Sequence, residues 1–197
     1  MSVQKRPYRM IRRAELEEQT RRRITESAVA LHEQVGPAHT TISAIAERAG
    51  VRRSTVYRHF PDEEALFDAC SSLWRTANPP PDLRAWSSIA DPAERTRAAL
   101  GELYAFYERT EGMYASLLRD EQDVPALASR LREFHGYLRA AQEDLAGGRS
   151  LRGRRAQRTR AAIGHALAFP TWRSLRREQG LRTDDAAELM ARLVELA

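Results

Sequence analysis

Cysteine is almost absent from this chain, with Cys70 the only one in 197 residues. That excludes an intrachain disulfide and a cysteine-built zinc site. Cys70 falls between Phe67 and Leu73 on a helical pattern, so it reads as a buried structural thiol. Lysine is equally scarce: Lys5 stands alone among 32 basic residues. The arginine excess suits bidentate contacts to phosphates and bases, and codon usage accounts for it equally well. No apolar run reaches membrane-spanning length, and the opening MSVQKRPYRM lacks the apolar centre of a signal peptide. A cytoplasmic protein with no membrane partner is the expectation. Period-two alternation is missing as well, which argues against strands. His32, His39, His59, His135 and His165 are scattered rather than spaced as metal ligands, and the chain has no phosphate-cradling glycine loop or nucleophile elbow. Neither an enzyme nor a metal or cofactor is expected.

What is present is helical periodicity. Ile24, Ala28, Leu31 and Val35 form one apolar stripe, closed by Gly36-Pro37. Ile42, Ile45, Ala46 and Ala49 form a second, closed by Gly50, and a third short segment runs from Arg52 to about His59. Asp62 is the expected N-cap of a fourth helix whose inner face is Leu66, Cys70 and Leu73. Asn78-Pro79-Pro80-Pro81-Asp82 cannot be helical and marks the clearest break. Further amphipathic helices are expected from Pro92, from Met113 to Arg119, and from Pro125 to Gly147. A long one from Arg152 to Gln179 is expected to kink at Pro170, and a last one follows Thr183. The expectation is an all-α fold of about nine helices. Residues 1–61 form a helix-turn-helix head, with 1–14 a flexible basic arm, and residues 62–197 form a helical effector-binding and dimerisation domain.

The segment TTISAIAERAGVRRSTVYRHFPDEEAL, residues 40–66, is the most informative. Two short helices joined by Ala49-Gly50-Val51 have the spacing of a helix-turn-helix, although an ordinary helical hairpin shares that spacing. The polar residues separate the two readings. Arg52, Arg53, Ser54, Thr55, Tyr57, Arg58 and His59 crowd the third segment, and no acidic residue occurs between Arg52 and Phe60. Arginine pairs with guanine edges in the major groove, and hydroxyls and imidazoles reach phosphates or bases.

The residues Ile24, Ala28, Leu31, Gly36, Thr40-Thr41, Ile45-Ala46, Ala49-Gly50-Val51, Thr55-Val56-Tyr57, His59-Phe60 and Leu66 resemble the N-terminal signature of the tetracycline-repressor family. That resemblance implies a three-helix DNA-binding head, a linking fourth helix and a two-fold homodimer on a near-palindromic DNA operator. It places Thr41 and Ser43 at the start of the second helix near phosphate or base edges. Arg53, Ser54 and Thr55 would face bases, and Tyr57 and His59 the backbone. Two positions depart from the pattern. Arg52 stands where a hydroxyl residue is common, and Glu63 stands where many members have a phosphate-touching lysine. Arg21, Arg22 and Arg23, or the arm around Lys5, Arg6, Arg9, Arg12 and Arg13, are candidates to compensate.

The closing stretch from Gly164 is similar to the last two helices of many members, which build a four-helix bundle across the dimer axis. Ile163, Leu167 and Ser174 with Leu189, Leu193 and Leu196 are the expected interface. Tyr104, Tyr107, Phe134, Tyr137 and His165 are the expected lining of a pocket for a small apolar effector, although each aromatic taken singly fits a core equally well. The implied function is a transcriptional repressor released from its operator by that effector. The alternative is a sequence-tolerant DNA binder without one.

Overall fold

The computed structural model describes residues 5–197, with side chains from Met10 onward. Among the described residues there are ten α-helices and no strand. In chain order they are α1 (Lys5–Gln34), α2 (Ile42–Arg48), α3 (Arg53–His59), α4 (Glu63–Ala77), α5 (Leu83–Ser87), α6 (Pro92–Asp120), α7 (Pro125–Ala146), α8 (Gly153–Leu167), α9 (Phe169–Arg173) and α10 (Thr183–Leu196). None of them is long and apolar enough to cross a membrane.

The chain divides into two compact units, one holding the residues up to Asn78 together with Ala115–Leu127, the other Pro79–Tyr114 with Ala128–Ala197. In the first unit α1 to α4 close around Ile24, Ala28, Ile45, Ala46, Val56, Phe60, Leu66 and Cys70. The stripe read from the sequence is therefore the core face, except that Val35 lies beyond the last turn of α1 and is exposed. Helix α1 reaches back to Lys5, so residues 5–14 of the expected basic arm are helical. Leu16, Glu17 and Glu18 favour helix there, and Arg13 pairs with Glu17 one turn on. Met1–Gln4 and the side chains of Lys5, Arg6 and Arg9 lie outside the described residues.

The second unit is cored by Trp86, Leu100, Leu103, Tyr104, Phe106, Tyr107, Leu145, Ile163 and Trp172. Three expectations change here. Helix α6 is continuous where two helices were expected, the short α5 was not foreseen, and the long C-terminal helix is broken rather than kinked. Ala168 is extended (φ −73°, ψ 133°), α9 restarts at Phe169, and a π-helical turn occupies Ser174–Glu178.

Candidate nucleic-acid interface

Local chemistry sets the turn between α2 and α3. Thr41 caps α2, its Oγ1 accepting from the Ala44 N–H at 3.1 Å. At the other end Gly50 takes φ +64°, a left-handed conformation that strains most side chains. The Val51 N–H then reaches the Ala46 carbonyl at 2.9 Å and closes the helix end. Arg52, extended at the N-cap of α3, offers no side-chain cap, as expected for an arginine where a hydroxyl is usual.

Helix α3 turns Val56 inward and leaves most of its polar residues in solvent. Arg52, Arg53, Ser54, Tyr57 and Arg58 are exposed, while Thr55 and His59 are half-buried. Thr41 and Ser43 are exposed at the start of α2. All nine residues expected at a DNA surface thus have at least part of their side chain accessible. His59 differs from the rest: its Nε2 is buried without a partner. Burial first, then the charges of Arg58 and Arg21, hold its pKa below the ordinary value, so the ring is neutral near pH 7.

Two features of the head were not legible from local sequence. Arg21 donates from Nη1 to the His59 carbonyl at 2.7 Å and lies 4.2 Å over the Phe60 ring. It caps the end of α3, which gives it a structural role in the head. The second feature is the corner after α1. Asp120, buried, accepts from the Ala38 N–H at 3.0 Å and from Arg119 Nε at 2.7 Å, while Arg119 also donates to the Val35 carbonyl at 2.9 Å. Burial pulls the Asp120 carboxyl upward, but those hydrogen bonds and the charges of Arg119 and His39 outweigh it and hold the group below its usual range. Gly36 is required at this corner, with φ +90° and a would-be Cβ 2.3 Å from Asp120 Oδ2. His32 is buried beside it and stacked on Phe67, with centroids 5.1 Å apart. Cys70 is equally enclosed; burial pushes its thiol up to about 12, which leaves it unreactive.

The expected effector residues fall differently. Tyr104 and Tyr107 are fully buried and Phe134 and Tyr137 half-buried, in one cluster of rings that includes Tyr114, Phe169 and Trp172. His165 does not join them; it is exposed on α8. The tyrosine hydroxyls are already engaged. Tyr104 donates to the Ala166 carbonyl at 2.9 Å and Tyr107 to the Leu167 carbonyl at 2.7 Å, both carbonyls at the end of α8. Pro170 has no N–H for Ala166, and the break at Ala168 leaves Leu167 without its helical donor. Thr171 completes the repair, its Oγ1 donating to the His165 carbonyl at 2.7 Å. Burial raises the Tyr104 and Tyr107 pKa values, so both stay neutral donors.

Among the described residues no group of His, Cys, Asp and Glu is placed to hold a metal. Residues 24–70 match the family model of the bacterial regulatory proteins, tetR family. Over 57 residues the chain is 39% identical to the HTH-type transcriptional regulator AcrR of Shigella flexneri, a match covering 29% of this chain and 25% of that protein. The chain therefore spans about a quarter of that curated relative's length. The whole fold is similar to a TetR-like transcriptional regulator from a Rhodococcus species, with TM-score 0.63 and 18% identity over 89% of this chain and 93% of that one. It is also similar to Pseudomonas aeruginosa NalD, described as the secondary repressor of the MexAB-OprM multidrug efflux pump, with TM-score 0.57 and 20% identity over 90% and 94% of the two chains. Residues 24–70, from Ile24 in α1 through most of α4, thus match the tetR family of bacterial regulatory proteins, and the fold is similar to that of a TetR-like regulator over nearly the full length.

Proposed function

We propose that the protein is a transcriptional repressor that binds a palindromic operator as a homodimer and is released by a small, mainly apolar effector. The observation that carries the DNA-binding part is the face of α3: Arg52, Arg53, Ser54, Tyr57 and Arg58 exposed together, without an acidic residue among them. Arg53, Ser54 and Thr55 read base edges. Thr41, Ser43, Arg52, Tyr57, Arg58 and His59 fix the helix against the phosphates. Glu63, exposed at the start of α4, repels phosphate, and the exposed Arg22 and Arg23 supply positive charge on the same head.

Dimerisation is supported by α10, which exposes Leu189, Leu193 and Leu196 on the side away from its buried Ala186, Met190, Ala191 and Val194. Ile163 and Leu167, expected in the same interface, are instead buried within their own protomer. The outward side of α8 carries Arg158, Ala161 and His165. Effector binding is supported by the ring cluster of the second unit, whose half-buried outer members, Phe134 and Tyr137, can move aside at less cost than the sealed inner rings. An effector acts on DNA binding only by as much as its affinity differs between the two states, typically about 1–3 kcal/mol.

The test is selection of genomic fragments by the purified protein, followed by sequencing. A recurring inverted repeat bound far more tightly than random DNA at physiological salt is the expected result. Equal, salt-dependent affinity for all fragments identifies the sequence-tolerant alternative.

A further inference from the structure

Trp172 is fully buried, and its indole Nε1–H has no acceptor. Its ring neighbours do not supply one: Phe169, with centroids 5.4 Å away, has no polar atom, and the Tyr107 hydroxyl, on a ring 5.8 Å away, bonds the Leu167 carbonyl and does not accept from the indole. Tyr104 is likewise committed to Ala166. A phenylalanine would fill much of the same apolar volume without leaving a donor unsatisfied, so the indole carries a cost that packing alone does not require. The backbone around Trp172 is irregular on both sides. The extended Ala168 and Pro170 precede it, and the π-helical turn Ser174–Glu178 follows. Such turns inside helices recur at functional sites.

We infer that the Trp172 Nε1–H is the polar anchor of the effector site, and that the effector is an uncharged apolar molecule presenting one hydrogen-bond acceptor oxygen, as a ketone, ester or ether does. The inference rests on the effector reading above and narrows it. Ionised ligands are disfavoured because the rings around the anchor carry no charge to balance a buried ion. A hydrocarbon displacing the outer rings leaves the indole donor unpaired, whereas a ligand with an acceptor oxygen satisfies it. Phe134 and Tyr137, stacked with centroids 5.8 Å apart and only half-buried, form the outer wall that yields on entry.

The test uses the full chain and a graded set of ketones, from acetophenone to benzophenone, each paired with the isostere in which =CH2 replaces the oxygen. Binding is measured by calorimetry, and the indole 15N–1H resonance of Trp172 is followed. That resonance is identified by its loss in Trp172→Phe and, independently, by its proximity to the Tyr107 and Phe169 rings. At least one ketone is expected to bind about 10-fold more tightly than its isostere and to move the Trp172 N–H resonance downfield. In Trp172→Phe the pair should bind equally, at the isostere's affinity. Equal binding of every pair to the parent protein, or a ketone preference that survives Trp172→Phe, overturns the anchor and leaves the apolar effector standing. Absence of binding by every compound, with the indole resonance unmoved, overturns both. Should Trp172→Phe fail to fold, the pairwise affinities and the resonance of the parent protein decide the matter.

Discussion

Arg21 and Arg53 belong to the same head, yet their donors are spent differently. Arg21 holds the His59 carbonyl and covers Phe60, whereas Arg53 is exposed and, among the described residues, has no side-chain partner. Their substitutions should therefore separate. Arg53→Ala should cost about 1–3 kcal/mol on the selected operator and relax base preference at one position of each half-site, with the fold unchanged. Arg21→Ala should weaken all DNA sequences together and lower the melting temperature of the free protein, because the end of α3 loses its clamp. Fluorescence anisotropy on operator and single-base variants, beside thermal melts, distinguishes the two. An Arg53→Ala protein that kept full selectivity would show that α3 is not the reading helix.

His32 provides a second test at this scale. Burial drives its pKa from 6.5 down to about 4, partly opposed by the nearby Asp120 charge. Below about pH 6.5 the unfolded chain binds a proton at this position that the folded head refuses. Stability is therefore fully present above pH 6.5 and falls as the pH drops towards 4, by at most roughly 3 kcal/mol. Asp120, held below its usual range, adds to the loss in the acid limb. Urea melts of the parent and His32→Gln from pH 7.5 to 4.5 isolate the histidine. The variant should start less stable, having lost the Phe67 stack, and fall less steeply; parallel curves would remove the histidine from the account. The Asp62 cap, which accepts from the Ala65 N–H, and the Gly50 turn were legible because they depend on neighbours within five residues. Arg21 and Asp120 were not, since their partners lie 38 and 82 residues away and nothing in the local sequence marks them.

At the scale of elements, the misread boundaries share one cause. Separate helices were expected from Pro92 and from Met113, but Gly112, the helix-weakening residue at their junction, costs a helix only about 1 kcal/mol. The buried Met113 and Tyr114 just after it, and the pairing of Glu111 with Arg177, hold α6 straight through. Pro170 predicts a kink, which would preserve most of the hydrogen-bond ladder, but the helix breaks at Ala168. Here the freed carbonyls have a different set of donors waiting. Tyr104, Tyr107 and Thr171 satisfy them, so the break is as fully bonded as a helix would be. The same observation explains why these two tyrosines, expected as pocket residues, have no hydroxyl proton to spare. Tyr107→Phe should leave the Leu167 carbonyl buried and unpaired, at a cost of about 1–3 kcal/mol. Tyr137→Phe, whose half-buried hydroxyl donates to the Pro81 carbonyl at 3.0 Å, should cost less. Denaturant melts of both variants give the comparison. A neutral Tyr107→Phe would mean that the broken helix end finds another donor.

For the molecule as a whole, α10 is the element on which the proposed dimer rests. Its inner side packs Ala186, Met190, Ala191 and Val194, while Leu189, Leu193 and Leu196 are 39%, 47% and 83% exposed. Its inner side is already buried in its own protomer, so three leucines on the outer side call for a partner surface. A second copy supplies one by symmetry, since a two-fold contact lets the same stripe meet itself. In the proposed dimer DNA binding would depend on the pairing, because two joined heads would engage two half-sites roughly 34–36 Å apart or more. Once the first head is bound, the second binds at a high effective concentration. Replacing Leu189 and Leu193 together with Asp places charges in the apolar stripe without touching the inner core of α10. The expected outcome is a folded monomer by light scattering at micromolar concentration, with helicity retained and operator affinity reduced about 10²–10⁴-fold. Both parts are needed. If the double variant remained a dimer, the interface would lie elsewhere. If it became monomeric and kept full operator affinity, a single head would suffice and the two-fold reading of the operator would fall.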